Sequence, residues 1–240
     1  MVTKFNIGDE VLVPSKLVKD DDGPALKRVH IISQSKRSIE VATDGPVGTD
    51  RYVFGSSRAT PSFFALVVTF GDLATEDSTL DPLSDGIDRV FRLLVPHSYS
   101  ATLKIRTCVE LRTVLSTVGV GATHIIVVGH GGPAGLGLLD GHLSGTDFGE
   151  LLDDECAEGP QKRVISTACQ TGRAVFGKGI AASDQCLSFD GPFQSIHAAS
   201  SLQYVQCYFT SLLLSGKSHA IATKSALAAM PTGFHFNSYR

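Results

Sequence analysis

The sequence predicts an α/β fold: a mainly parallel sheet covered by helices on both faces, preceded by a small β-rich unit. Three observations carry this. Apolar blocks of strand length, FFALVVTF (63–70), THIIVVGH (123–130) and RVISTAC (163–169), alternate with segments of helical period. Blocks that stay hydrophobic on both sides of the pleat belong to strands buried on both faces, as in parallel sheets. Residues 1–60 lack this rhythm, so the chain divides into a β-rich unit, 1–60, and an α/β domain, 61–240.

In the first unit FNIGDEVLV alternates and breaks on glycine, and KRVHIISQSKRSIEVATD holds two short β-like runs. KDDDGP and DGPVGTDR form turns. A few antiparallel strands follow, in a small barrel or sheet whose head, GDEVLV, resembles the opening of SH3-like modules. From Pro61 onward FFALVVTF is a buried strand, LSDGIDRVFRLLV (83–95) a helix, and YSATLKIRT (99–107) continues the alternation. VELRTVLSTVG (109–119) is helical and leads into THIIVVGH. The glycine-rich GLGLLDG then reads as a hairpin, and a capped helix is expected around Thr146–Asp153.

RVISTAC is the next strand, FGKGIAASDQCLSFDGP reads as a surface loop, and QSIHAAS (194–200) is expected to be a further strand. Leu202, Val205, Phe209, Leu212 and Leu213 recur at i, i+3, i+7, i+10 and i+11, one face of a helix that Gly216 ends. KSHAIATKSALAAM forms a last helix before Pro231, and FHFNSYR closes the chain as an edge strand.

Composition narrows the function. With 42% hydrophobic and 19% charged residues and a formal charge of −3, the chain has no basic stripe for nucleic acid. Its longest apolar runs are too short to span a bilayer, and Met1–Glu10 has no apolar core of a secretory signal. Five cysteines (108, 156, 169, 186 and 207) are an odd number without metal-ligand spacing. Free thiols in a reducing cytoplasm, with neither metal nor cofactor, are therefore expected.

In an open parallel sheet the functional crevice lies beyond the carboxyl ends of the strands. HIIVV ends in Gly129-His130-Gly131-Gly132, and RVIST ends in Ala168-Cys169-Gln170. If these strands are neighbours, His130 and Cys169 project from one edge, the minimum for thiol nucleophilic catalysis. Small residues beside His130 leave room for substrate, and the Gly131 N–H can face a developing oxyanion. Either residue alone has an ordinary structural reading, a buried thiol or a loop histidine; the pairing gives them weight.

A hydrophobic block ending His-Gly, followed by a second ending Ala-Cys, resembles the caspase-like cysteine peptidases. HIIVVGHGG, GLGLLDGHLS, TDFGELL, RVISTACQTG and FTSLLLSGKSHAIATKSA together are most similar to the bacterial CHAT-domain branch, over roughly residues 61–240. The resemblance implies a caspase-like sandwich with a six-stranded sheet, and an endopeptidase with His130 as base and Cys169 as nucleophile. It further implies backbone N–H groups of Gly131 and Cys169 as oxyanion donors, a protein or peptide substrate, and no obligatory third side chain. Asp72, after the first core strand, then becomes a candidate for a pocket taking a basic P1 side chain. Gly132, Asp184 and Asp190 are further substrate-binding candidates. Two departures stand out: Gln170-Thr171 puts one more residue before Gly172 than the caspase signature has, and Gln170 stands where relatives usually carry an acid.

Other readings compete. GHGGPA fits a dinucleotide-binding glycine pattern, but Pro133 and the hairpin that follows leave no helix to open there. The oxyanion loop of α/β-hydrolases also contains His-Gly-Gly, yet the chain has no G-x-S-x-G elbow. A catalytically silent scaffold docking through residues 1–60 stays open. So does a latent protease switched on by a partner, as in bacterial defence or cell-death systems, with the contact expected around Asp9–Val13.

Overall fold

The computed structural model describes residues 5–19, 25–35, 38–45, 48–55, 63–71 and 80–240. The first unit is an antiparallel meander of β1 (Glu10–Pro14), β2 (Leu26–Gln34), β3 (Ser38–Gly45) and β4 (Gly48–Gly55), in that order across the sheet. Val11, Val13, Val29, Ile31, Ile39 and Val41 fill its own small core. Successive residues of a strand face opposite sides, so Leu12 points the other way, into the core of the α/β domain together with Ala25 and Leu26. The Ala25 N–H donates to the Leu94 carbonyl at 3.2 Å, which ties the two units through the backbone.

The second unit is built on six strands: β5 (Ala65–Phe70), β6 (Ser100–Ile105), β7 (His124–Val128), β10 (Lys162–Ser166), β11 (Cys186–Pro192) and β12 (Phe236–Tyr239). Their spatial order is β12-β11-β10-β7-β5-β6. Every pairing is parallel except that of β12 with β11. The α/β class, the mainly parallel six-stranded sheet and the carboxyl-terminal edge strand agree with the sequence expectation.

Helices α1 (Leu80–Leu94), α5 (Ala198–Phe209) and α6 (His219–Ala229) pack on one face, over Ala65, Val67, Ile126, Val128 and Ile165. Helices α2 (Cys108–Thr117), α3 (Gly145–Cys156) and α4 (Ala174–Ala181) cover the other, over Leu66, Val68, Ile125, Val127 and Val164. The alternate residues of β5 and β7 thus feed two separate cores, which is why both strands are apolar except at Thr69 and His124. Ser144 caps α3 reciprocally with Asp147, as the expected capped helix requires. After α5 the chain continues for one turn as a π-helix, Thr210–Leu214, so Leu212 and Leu213 do not extend the α-helical register.

Two expectations are corrected. Residues 194–200 are not a strand: the last parallel strand is β11, and the His197 ring accepts the Ala199 N–H at 3.2 Å to start α5. The stretch read as a loop, 176–192, forms most of α4 and all of β11. Its glycines misled the reading because they serve close packing. A Cβ on Gly177 would stand 2.2 Å from the Tyr239 ring, and one on Gly179 would stand 2.7 Å from the Thr146 nitrogen. Phe176 and Ile180, one turn apart, bury the same face.

The chain runs outward from β5 to β6, then returns to start β7 on the other side of β5. The order therefore reverses between β5 and β7, and the carboxyl end of β7 opens on this switch point, where crevices form in α/β sheets. Between β7 and β10 the chain makes the expected hairpin, β8 (Leu136–Leu138) and β9 (Gly141–Leu143).

Candidate active site

The two candidate residues follow the carboxyl ends of neighbouring parallel strands. β7 and β10 pair in parallel from His124↔Arg163 to Val127↔Ser166, a constant offset (163 − 124 = 166 − 127 = 39). The Thr167 N–H and hydroxyl both reach the Val127 carbonyl, at 2.8 and 2.9 Å, so the alignment holds beyond the last paired residue. His130 and Cys169 are the same 39 positions apart in the sequence (169 − 130 = 39), and each follows the carboxyl end of one of these two neighbouring strands. The residue after His130 packs on the thiol loop: a Cβ on Gly131 would stand 2.6 Å from the Cys169 carbonyl oxygen and 3.0 Å from the Ala168 methyl.

A dense set of short bonds fixes the loop that carries the thiol. The Thr171 hydroxyl lies 2.8 Å from both Ser166 Oγ and the Ala168 carbonyl, and the Ala168 N–H donates to Ser166 Oγ at 3.2 Å. Gln170 is held left-handed, with φ of 62°, a region that costs a non-glycine residue energy unless its surroundings impose it. Here its N–H donates to the Gln194 carbonyl at 3.3 Å, and its own carbonyl accepts from Arg173 N–H at 3.1 Å. Residues 166–168 and 171 are buried, whereas Cys169 and Gln170 are partly exposed. The chain thus lifts the thiol out of the core at the strand end.

Cys169 Sγ accepts the Ile196 N–H at 3.4 Å and donates to the Ile196 carbonyl at 3.8 Å. Sequence reasoning missed this neighbour because 194–200 was read as a strand. The adjoining Phe193 is 45% exposed and carries the Arg173 guanidinium over its ring, 5.5 Å from the centroid.

His130 is exposed just past β7. Its segment is held by β8 through an isolated antiparallel bridge, Gly131↔Leu136. Gly137 N–H donates to the His130 carbonyl at 3.1 Å, and Gly132 N–H to the Gly135 carbonyl at 2.9 Å. These two bonds flank the bridge, which makes Gly131 and Leu136 the non-hydrogen-bonded pair. The Gly131 N–H is therefore directed away from the hairpin. Nothing lies within 4 Å of the space a Cβ on Gly132 would take, so the site is open there.

The other candidates fall apart from this pair. Asp184 is exposed in the turn before β11, where its carbonyl accepts from Gln161 Nε2 at 2.7 Å. That is the amino edge of the sheet, opposite Cys169. Asp190 is buried within β11, opposite Ile165, and accepts a hydrogen bond from the Ser238 hydroxyl. Burial raises its pKa, against the opposing pull of Ser238, Arg163 and Arg240, so it is a structural acid. Asp72 lies outside the described residues.

A second polar cluster sits under α5 and α6 at the amino end of β7. The His124 and His219 rings stack at 5.4 Å, and Tyr208 Oη lies 2.7 Å from His219 Nδ1. Burial drives His124 well below the ordinary histidine range, with His219 and Arg163 adding to it. Burial, with Arg163 and Arg240, brings His219 down to about 3. Both rings are neutral at pH 7. They lie at the opposite end of β7 from His130, and the sequence had not marked them.

Among the described residues no group of three or more His, Cys, Asp or Glu could hold a metal ion, and no helix is long and apolar enough to cross a membrane. All five cysteines are unpaired. No protein-family model matches the chain, and no curated protein matches it.

Proposed function

We propose that the protein is a cysteine endopeptidase working through a His130–Cys169 dyad. The observation that supports this is the parallel pairing of β7 and β10, after whose carboxyl ends come an exposed histidine and a partly exposed thiol, with Gly131 packed against the Cys169 backbone. In the reaction, His130 takes the thiol proton and Cys169 Sγ attacks the carbonyl carbon of the scissile peptide. Electrons move onto the carbonyl oxygen, which the Gly131 N–H, directed away from the hairpin, is free to meet. Collapse breaks the C–N bond, and His130 gives its proton to the departing amine. Water, deprotonated by the same imidazole, then hydrolyses the thioester and restores the thiol.

The resemblance to CHAT-domain peptidases supports the same assignment, and the open space over Gly132 leaves room for a substrate main chain. The P1 side chain is proposed to be basic, on the sequence position of Asp72 alone. The test is a fluorogenic peptide library varied at P1, read with the wild type and Cys169→Ala. Turnover in the wild type only, highest for Lys or Arg at P1, supports both proposals. Turnover without a preference for basic residues removes the role of Asp72. Turnover that survives in Cys169→Ala removes the peptidase.

Control by a partner through residues 1–60 is the accompanying proposal. Val11, Leu12 and Val13 are buried, so a partner would meet Asn6–Glu10, where Ile7 is 73% exposed, rather than the whole stretch to Val13. Hydrogen exchange over residues 5–19 with added partner checks this, and unchanged exchange would count against it.

A further inference from the structure

The segment carrying His130 leaves the sheet early. β7 pairs with β5 only to Val128 and with β10 only to Val127. Beyond that point the backbone of residues 130–132 leans on β8, through the Gly137 N–H on the His130 carbonyl and the Gly131↔Leu136 bridge. The support is itself slight. β8 and β9 are three residues each, and a two-stranded hairpin of that size does not hold its shape in water unaided.

Two anchors hold it. At its base Leu136 and Leu143 are buried in the core beneath α2 and α3. At its tip the Leu139 N–H donates to the Arg106 carbonyl at 2.8 Å, and the Asp140 carboxylate receives the Cys108 N–H, 3.0 Å to Oδ2 and 3.3 Å to Oδ1. Cys108 is the first residue of α2, whose Thr107 cap already accepts the Glu110 N–H. Asp140 thus takes a donor the helix leaves open, and its negative charge lies at the positive end of the helix dipole.

We propose that Asp140 is a positioning residue for His130: by tethering the hairpin tip to the amino terminus of α2, it fixes the backbone from which the imidazole reaches Cys169. The inference rests on the dyad reading for its catalytic meaning, but the tether can be tested without it. An Asp-Gly pair also favours a tight turn, and an asparagine serves that purpose as well as an aspartate does. Asparagine also keeps an oxygen for the Cys108 N–H, whereas alanine keeps neither function.

The experiment uses the full chain with Asp140→Ala and Asp140→Asn. It records melting temperature, amide exchange at Gly137 and the His130 ring signals by NMR, then kcat and KM on the best library peptide. The tether predicts that Asp140→Ala stays folded, exchanges Gly137 about five- to tenfold faster, and shifts or broadens the His130 ring signals. Asp140→Asn should restore most of both. Peptide turnover should fall in kcat with little change in KM. Unchanged Gly137 exchange and His130 signals in a folded Asp140→Ala overturn the inference. If Asp140→Ala does not fold, Asp140→Asn and Asp140→Ser take its place: graded Gly137 exchange supports the tether, and wild-type exchange in both overturns it. A wild type that cleaves no peptide removes the peptidase reading, while the exchange and ring signals still decide the tether.

Discussion

Gly131 packs so tightly on Cys169 that a Cβ built on it would come within 2.6 Å of the Cys169 carbonyl oxygen. That carbonyl belongs to a loop whose backbone is hydrogen-bonded on both sides, so it has little room to retreat. Gly131→Ala is therefore expected to destabilise the fold by about 1–3 kcal/mol, the usual cost of overpacking. Any cleaving activity should fall further than stability alone explains, because the clash displaces the thiol. Gly132→Ala, which meets nothing within 4 Å, should fold like the wild type. Thermal unfolding of the two variants side by side checks the contrast.

The left-handed Gln170 gives a second expectation. Glycine adopts φ near 62° without a steric cost, so Gln170→Gly should be neutral or stabilise by up to about 1 kcal/mol. A β-branched residue cannot do so, and Gln170→Val should cost about 1–2 kcal/mol. Equal stability of the two variants would show that the conformation imposes nothing there.

The buried histidines set an acid limit. Both have folded-state pKa values below the unfolded histidine value near 6.5, so between these values the unfolded chain binds more protons. Stability is then full above about pH 6.5 and falls as pH drops towards about 3, where His219 also protonates in the folded state. The slope approaches about 1.4 kcal/mol per pH unit for each fully neutral ring. Asp190 opposes it, since its raised pKa makes the folded state take up a proton first on acidification. His219→Gln keeps an acceptor for Tyr208 and should flatten the decline between pH 6 and 4, measured as urea midpoints. An unchanged slope would place the acid sensitivity elsewhere.

Much of this architecture was legible in the sequence. The two-sided burial of β5 and β7 is written in their long apolar runs, and Asp140-Gly141 marked the hairpin. That His130 and Cys169 follow the carboxyl ends of neighbouring strands was legible from the two strand blocks. The misreadings share one cause: a local pattern overridden by a distant contact. Glycines 177 and 179 read as loop formers, whereas they admit Tyr239 and Thr146 at short range. Ile196 and His219 carried no signal at all, and Asp140 signalled a turn but not its bond to α2. The partners of Ile196, Asp140 and His219 are a thiol, a helix end and a phenol that lie 27, 32 and 11 residues away in the chain.

The central claim is that the thiol after β10 and the imidazole after β7 cleave peptides together. It is tested most directly by the hydrolysis rate of the best fluorogenic peptide for the wild type, Cys169→Ala and His130→Ala, all verified as folded. Turnover should be abolished in Cys169→Ala and lowered about 10²–10⁴-fold in His130→Ala. Turnover in either variant that matches the wild type would contradict it.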